Sequence, residues 1–448
     1  MAHSFAQIVQ QFKADVATAL LPDTIVAVCE SIGHVWRDRV LTPVVTLHAF
    51  LLQVLHGNSA CSGVSRLIGI TFSAAAYCEA RMRLPLALFE QLLQRVGDAL
   101  QTDTSQDGRW HGHRTWIIDG SSFSMPDTPE LQKHFGQPGA QAAGCGFPVA
   151  HLLGLFHAGL GFLQRVVASP LRTHDMAQAA TLHPEMAEGD LLLGDRAFAS
   201  FAHLALLSRQ KMQGIFRCHQ KQIVNFRPGR QHAKPGKPKK GQPTSRWLRR
   251  LGHWDQLVEY SKPRTRPEWI SAESYAALPK TLVVRELRYA IAQKGYRTRV
   301  VTLVTTLLDP IAYPASELAA LYQRRWQVEV NLRHLKTTMG MEVLRCETVA
   351  GVTKELYVFA LVYNLVRMVM REAATRQQVP VERISFVDAL RWLQQAQPGT
   401  PLTPLLVNPE RRHRVEPRVR KRRPKSYPLM TKPRKELRKA LKRKPHAA

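Results

Sequence analysis

Residues 322–336 read Tyr-Gln-Arg-Arg-Trp-Gln-Val-Glu-Val-Asn-Leu-Arg-His-Leu-Lys. On an α-helix, successive side chains turn by roughly 100°, and the segment then sorts into two adjoining faces. Leu321, Val328, Leu332, Leu335 and Met339 form an apolar stripe about 60° wide. Tyr322, Arg325, Trp326, Glu329, Arg333 and Lys336 share a neighbouring arc of about 100°. A chain with such a helix needs a core to receive the stripe. Beside that core it holds a carboxylate flanked by cations and two aromatic rings. Taken alone, the second face reads equally well as a solvated surface with an Arg325–Glu329 pair at i,i+4.

The charge of the whole chain decides against the bland reading. There are 63 Lys+Arg against 34 Asp+Glu, a formal net charge of +29. Residues 411–448 hold 17 Lys/Arg and two acids, Glu416 and Glu436, so the tail carries +15 and the body still carries +14. A basic tail on a basic body indicates a polyanionic partner. At 448 residues and 45% hydrophobic content, about one to three globular domains are expected. Six cysteines are scattered with no C-x-x-C. That argues against a zinc ribbon or disulfide framework and fits a reducing cytoplasm. No signal peptide opens the chain, and its apolar runs are too short or too interrupted for a bilayer; Tyr357–Met370 contains Asn364 and Arg367.

Residues 1–105 read as helical, with apolar recurrence at three and four through Phe5–Leu20, Val44–Leu55 and Leu86–Leu100. Thr42-Pro43 predicts an N-cap followed by proline at the first helical position. Thr115–Asp119 reads as a short buried strand ending in an acid, and Asp190–Asp195 as a second one. His151–Ala168 predicts a β-hairpin, Ser200–Ser208 a helix and Gly214–Cys218 a strand; the alternation implies an α/β core. Residues 221–250 hold ten Lys/Arg and no acid amid Gly and Pro, which predicts a mobile cationic segment. Thr281–Ile291 and Thr298–Leu308 predict a hairpin across Lys294-Gly295. Helices are expected from Ala315 to about Met339, from Val352 to about Ala373 and near Phe386–Gln394.

Two strand-ending aspartates and a helix-borne glutamate suit a two-metal phosphoryl-transfer site. Hard carboxylates hold two Mg²⁺ ions, which stabilise the attacking and leaving oxygens of an in-line displacement. Tyr322-x-x-Arg325-x-x-x-Glu329-x-x-x-x-x-x-Lys336 resembles the Y-(2)-R-(3)-E-(6)-K signature of bacterial insertion-sequence transposases of family four. The likeness continues through residues 337–366. It includes Ile118-Asp119-Gly120-Ser121, Gly194-Asp195-Arg196-Ala197-Phe198, the stretch Ala75–Pro85, and Arg423-Pro424-Lys425 near the end. Ala197 stands where the family often has Gly, and Leu332 where an aromatic is common.

The resemblance implies an α/β fold: an RNase H-like DDE core with an inserted β-rich domain, plus an all-α N-terminal domain. The corresponding division is residues 1–108 (helical, DNA-binding), 109–218 (first part of the core), 219–305 (basic β-rich insertion), 306–375 (remainder of the core) and 376–448 (helical, with the basic tail). It implies Asp119, Asp195 and Glu329 as catalytic metal ligands for two Mg²⁺, with Mn²⁺ as a substitute. Tyr322, Arg325 and Lys336 would hold transposon-end phosphates. Trp326, Arg333, Lys239, Lys240, Arg249, Arg250, Arg422, Arg423 and Lys425 are further candidate DNA contacts, and Trp326 reads equally as a packing residue. The implied partners are double-stranded DNA, as terminal inverted repeats and target, and a second copy in a synaptic homodimer. The implied setting is the cytoplasm at the nucleoid, without a membrane.

Other candidates fare worse. Asp190 precedes its strand; Asp127 and Asp175 suit turn and cap positions. Glu342 and Glu347 lie past Gly340, away from the cationic face. His111 and His113 lack a completing ligand and read as solvated residues. Ser121-Ser122 lacks a nucleophile elbow, and residues 236–241 lack the ending of a phosphate-binding loop. A metal-dependent nuclease and a catalytically inactive DNA-binding protein remain as alternative functions.

Overall fold

The computed structural model describes residues 18–102, 109–173, 175–230, 242–291, 300–397, 399–409 and 429–443. Among the described residues, five helices precede the first strand: α1 (Pro22–Ser31), α2 (Pro43–Leu55), α3 (Cys61–Ile68), α4 (Ala74–Arg83) and α5 (Leu86–Thr102). The Val45 N–H donates to the Thr42 hydroxyl and Pro43 opens α2, as its sequence predicts. In α4, only Tyr77 and Ala80 are buried, so apolar spacing gives no sign of it.

The sheet region follows in the order β1 (Arg109–Trp110), β2 (His113–Ser124), α6 (Pro129–His134), β3 (Val149–His157), β4 (Leu163–Pro170), α7 (Asp175–Ala179), β5 (Leu191–Gly194), α8 (Phe201–Arg209), β6 (Gln213–Arg217), β7 (Thr244–Gly252), β8 (Asp255–Ser261), α9 (Ala272–Ala276), β9 (Thr281–Ala290) and β10 (Val300–Thr305). In space the strands run β4-β3-β2-β5-β6-β10-β9-β8-β7, with β1 paired to β2 off this path. β5 is parallel to both β2 and β6. Strands β7–β10 extend the same sheet: β10 pairs with β6, matching Leu303 to Arg217.

β7 departs from expectation. Residues 244–250 lie in a strand rather than in a mobile segment, and β8 adds a strand that the sequence pattern does not announce. Arg246, Arg249 and Arg250 point outward on β7 while Ser245 is buried, so no apolar alternation marks it. The hairpin turn at Lys294-Gly295 and most of Phe5–Leu20 lie outside the described residues.

Beyond the sheet come α10 (Ala315–Arg324), α11 (Gln327–Arg333), a π-helical turn (His334–Thr338), α12 (Val349–Gln377), α13 (Phe386–Gln395) and α14 (Arg434–Arg443). The single helix expected from Ala315 to Met339 is interrupted. The N–H groups of Arg325, Trp326, Val328 and Glu329 reach back three residues, to Tyr322, Gln323, Arg325 and Trp326. This tight turn coincides with the burial of Arg325, which is 7% exposed. Leu321, Val328, Leu332, Leu335 and Met339 are all buried, as their stripe predicts.

α12 is longer than expected, 29 residues, and by length and composition alone would cross a membrane; 78% of its apolar window is instead buried inside the protein. Its polar interruptions are structural. Asn364 accepts from the Leu163 N–H and donates to the Leu163 carbonyl, and Arg367 Nε donates to Leu160 O. They fasten the helix to the β3–β4 turn.

Candidate active site

Asp119 lies in the middle of β2 rather than at a strand end, directly opposite Gly154 of β3. On its other flank β5 pairs with β2 only over Thr115–Ile117, with Ile117 matched to Leu193. Two residues further along both parallel strands, Asp195 falls level with Asp119. Because β5 stops at Gly194, this flank of Asp119 is left open. Asp195 turns out of the strand, and its carboxylate accepts from the Ala197 N–H at 2.7 Å. Gly194 permits the close packing here: a Cβ would meet Phe198, Ile118 and Phe216 at 2.9–3.0 Å. Asp190 has another task. It is buried, and it accepts from Arg114 and from Trp116 Nε1 at 2.8 Å.

The third side comes from α10 and α11. The buried Tyr322 hydroxyl donates to Gly194 O at 3.2 Å, pinning α10 to the end of β5. Arg325 sends Nη1 to Asp119 Oδ2 at 3.2 Å and Nη2 to Glu329 Oε1 at 3.5 Å. Its guanidinium carbon lies 5.8 Å from the Tyr322 ring centre and 5.3 Å from that of Trp326. The solvated i,i+4 pair is thereby corrected: Arg325 is buried between two acids, while the Glu329 side chain is half-exposed. Burial pushes the Asp119 carboxyl up to about 6; Arg325 and the Gly120 N–H oppose this, and the charges of Asp195 and Glu329 add to it. Burial likewise pushes Tyr322 up to about 12, against the pull of Arg325.

A cavity of about 430 Å³ opens here, lined by Asp119, Ser121, Glu329, Arg333, Lys336 and Glu342 among others. Glu342, discounted by its place in the sequence, joins it because the chain returns to β2: the Ser124 N–H donates to Glu342 O. Trp326 is 38% exposed. Arg249 and Arg250 are exposed on β7, the far edge of the sheet, and are not brought to the acids. Lys239, Lys240, Arg422, Arg423 and Lys425 lie outside the described residues. His111 and His113 are engaged rather than merely solvated: His111 contacts Glu317, and His113 contacts Gly189 O and the Tyr313 hydroxyl. Sequence reasoning missed Arg217, at the end of β6, and Tyr289 of β9. Both act electrostatically on Tyr322 or on one another beside the acids.

Residues 110–365, which contain all three acids, match the family described as the transposase DDE domain. The chain belongs to the DDE transposase family. Over 384 residues this transposase is 26% identical to InsG, the transposase for insertion sequence element IS4 of Escherichia coli K12, covering 80% of this chain and 78% of InsG. A second protein of that strain, InsZ, is 26% identical over 137 residues, covering 30% of this chain and 46% of InsZ. Among solved structures, a piggyBac transposase synaptic complex with hairpin DNA aligns at a TM-score of 0.42 and 9% identity, covering 84% of this chain and 78% of that one. Among the described residues of the transposase, no three His, Cys, Asp or Glu side chains form a ready metal cage. The donors around Arg325 are nonetheless hard carboxylate oxygens, and its guanidinium already lets Asp119 and Glu329 share one positive charge.

Proposed function

We propose that this transposase moves an insertion sequence by cut-and-paste, with Asp119, Asp195 and Glu329 as the catalytic carboxylates. The observation that carries the reading is the β2–β5 register, which sets Asp119 level with Asp195 while Arg325 links Asp119 to Glu329. The strand order β4-β3-β2-β5-β6, antiparallel then parallel, supports an RNase H-like core. The helices before β1 support an all-α N-terminal domain over residues 1–108, and β7–β10 an insertion over 219–305.

The three carboxylates would hold two Mg²⁺, or Mn²⁺. Bound there, the ions supply Lewis-acid charge at the attacking and leaving oxygens. The protein's own residues position the DNA. Lys336 and Arg333 at the cavity wall offer cations to phosphates next to the scissile one. Tyr322 keeps its proton and fixes the α10–β5 junction. The partly exposed Trp326 offers its ring to bases at the transposon end. Water attacks the end phosphodiester first; the freed 3′-OH attacks the opposite strand, closing a hairpin and releasing the flanking DNA, a second water reopens the hairpin, and the regenerated 3′-OH attacks the target DNA. A second copy pairs the two inverted repeats at the nucleoid.

Asp119→Ala, Asp195→Ala and Glu329→Ala test the site. Each should reduce end cleavage by about a thousandfold or more while leaving end binding intact. Unchanged cleavage with Mg²⁺ or Mn²⁺ in any one variant removes that residue from the site. Cleavage without strand-transfer products would favour a nuclease instead.

A further inference from the structure

Arg325 is bonded in an unusual way for a buried arginine. Its side chain is 8% exposed. It nevertheless directs its two terminal nitrogens to two different carboxylates, at 3.2 and 3.5 Å, which are long for charge-assisted bonds. Its Nε is buried with no acceptor at hydrogen-bonding geometry among the described residues. The backbone beneath it has left the α-helical ladder for a tight turn on both sides, with Arg325 N bonded to Tyr322 O and Val328 N to Arg325 O. A π-helical turn follows at His334–Thr338. Such irregularities within a helix mark places where it yields. Its guanidinium carbon lies near the Tyr322 and Trp326 rings, 5.8 and 5.3 Å from their centres.

We propose that Arg325 is an internal stand-in cation: it holds Asp119 and Glu329 together before a divalent ion arrives, and is displaced when one binds. The inference rests on the reading of these acids as metal ligands. A guanidinium and a divalent ion cannot both occupy the space between the two carboxylates, since like charges there repel. Displacement removes both of Arg325's acceptors. The freed cation then has two aromatic rings nearby and, past Asp119 and Glu329, the cavity that Arg333 and Lys336 line, where a DNA phosphate is the acceptor that matches its fork. Metal and DNA binding become coupled through one side chain. Metal loading costs the breakage of two ion pairs when DNA is absent, and is relieved when a phosphate takes Arg325 over.

The test is Mn²⁺ binding to the full chain without DNA, read by electron paramagnetic resonance at neutral pH. Arg325→Gln should bind Mn²⁺ about tenfold tighter or more than the wild type, because no resident charge must be expelled. Arg325→Lys keeps the charge but cannot span both acids, and should bind severalfold tighter. Adding a duplex oligonucleotide should tighten Mn²⁺ binding by the wild type and leave Arg325→Gln unchanged. Equal or weaker Mn²⁺ binding by folded Arg325→Gln overturns the stand-in role; if that variant does not fold, equal binding by Arg325→Lys does so. Asp119→Asn and Glu329→Gln separate the two levels, since each should weaken Mn²⁺ binding. If neither does, the metal reading itself falls and takes the inference with it.

Discussion

Two buried arginines of this protein each face carboxylates, and they are bonded in opposite ways. Arg285 of β9 is fully buried and clasps Asp255 with both prongs of its fork, Nε to Oδ1 at 2.8 Å and Nη2 to Oδ2. Its remaining Nη1 donates to Tyr313 O at 2.7 Å. Arg325 has single, long bonds to two partners and an idle Nε. Saturation marks the first as scaffolding: it joins β8 and β9 to the loop before α10, and loss of Asp255 leaves a charge stranded. Under-bonding marks the second as a group with another partner to meet. Burial of a salt bridge does not by itself tell the two apart; the satisfaction of each donor does.

Asp255→Ala should break the comparison hardest. It strands Arg285 and should cost about 3–5 kcal/mol in urea unfolding. Arg325→Gln should cost under about 2 kcal/mol, since Glu329 is half-exposed and Asp119 keeps its Gly120 N–H. Equal losses would mean that Arg325 is scaffolding too.

Acid should next attack the support of Asp195 through two buried histidines. His203 Nδ1 bonds Phe198 O in the turn after Asp195, and its Nε2 meets His183 Nε2 at 3.0 Å. Burial holds them down, to about 4 for His183 and about 3 for His203. Folded values below the unfolded one mean that their contribution is present above about pH 6.5 and lost as pH falls. The slope should approach about 1.4 kcal/mol per pH unit for each histidine. His183→Phe together with His203→Phe should flatten that limb of the stability–pH curve.

The buried strands were legible because Trp116–Ile118 and Leu191–Leu193 are continuous apolar runs, the first running straight into Asp119 and the second into Gly194-Asp195. The cap at Thr42 was legible for the same local reason. The inward turn of Arg325 was not. Periodicity assigns a residue to a face, and only the presence of Asp119 across the gap decides whether that face is wet. β7 escaped because its arginines hide a half-buried strand, and Arg217 and Tyr289 because they reach the site from strands far away in sequence.

Smaller effects sharpen the functional side of the comparison. Arg325→Ala and Lys336→Ala should slow the steps after first-strand nicking by about ten- to a hundredfold and the nick less, because bending like-charged backbone needs their cations most. A gel time course separating nicked, hairpin and double-strand-cut DNA checks this, and an equal loss of all three would assign the cations to general catalysis. Deleting residues 411–448 should flatten the log–log salt dependence of end binding by about 0.9 for each phosphate that the tail neutralises. An unchanged slope would show that the tail does not touch DNA.

The pairing of β6 with β10 carries a cost during synthesis. Arg217 ends β6, and its neighbour in the sheet does not begin until Val300, 83 positions on. At roughly 5–20 residues per second, the nascent chain displays a bare strand edge for about 4 to 17 seconds. Ile215 and Phe216 are on that edge, both fully buried once the sheet is complete. Sticky-edge association between ribosome-bound chains is therefore the hazard this topology creates. Slower translation across residues 218–300 should lower the yield of native protein, whereas pauses after Thr305 should leave it unaffected.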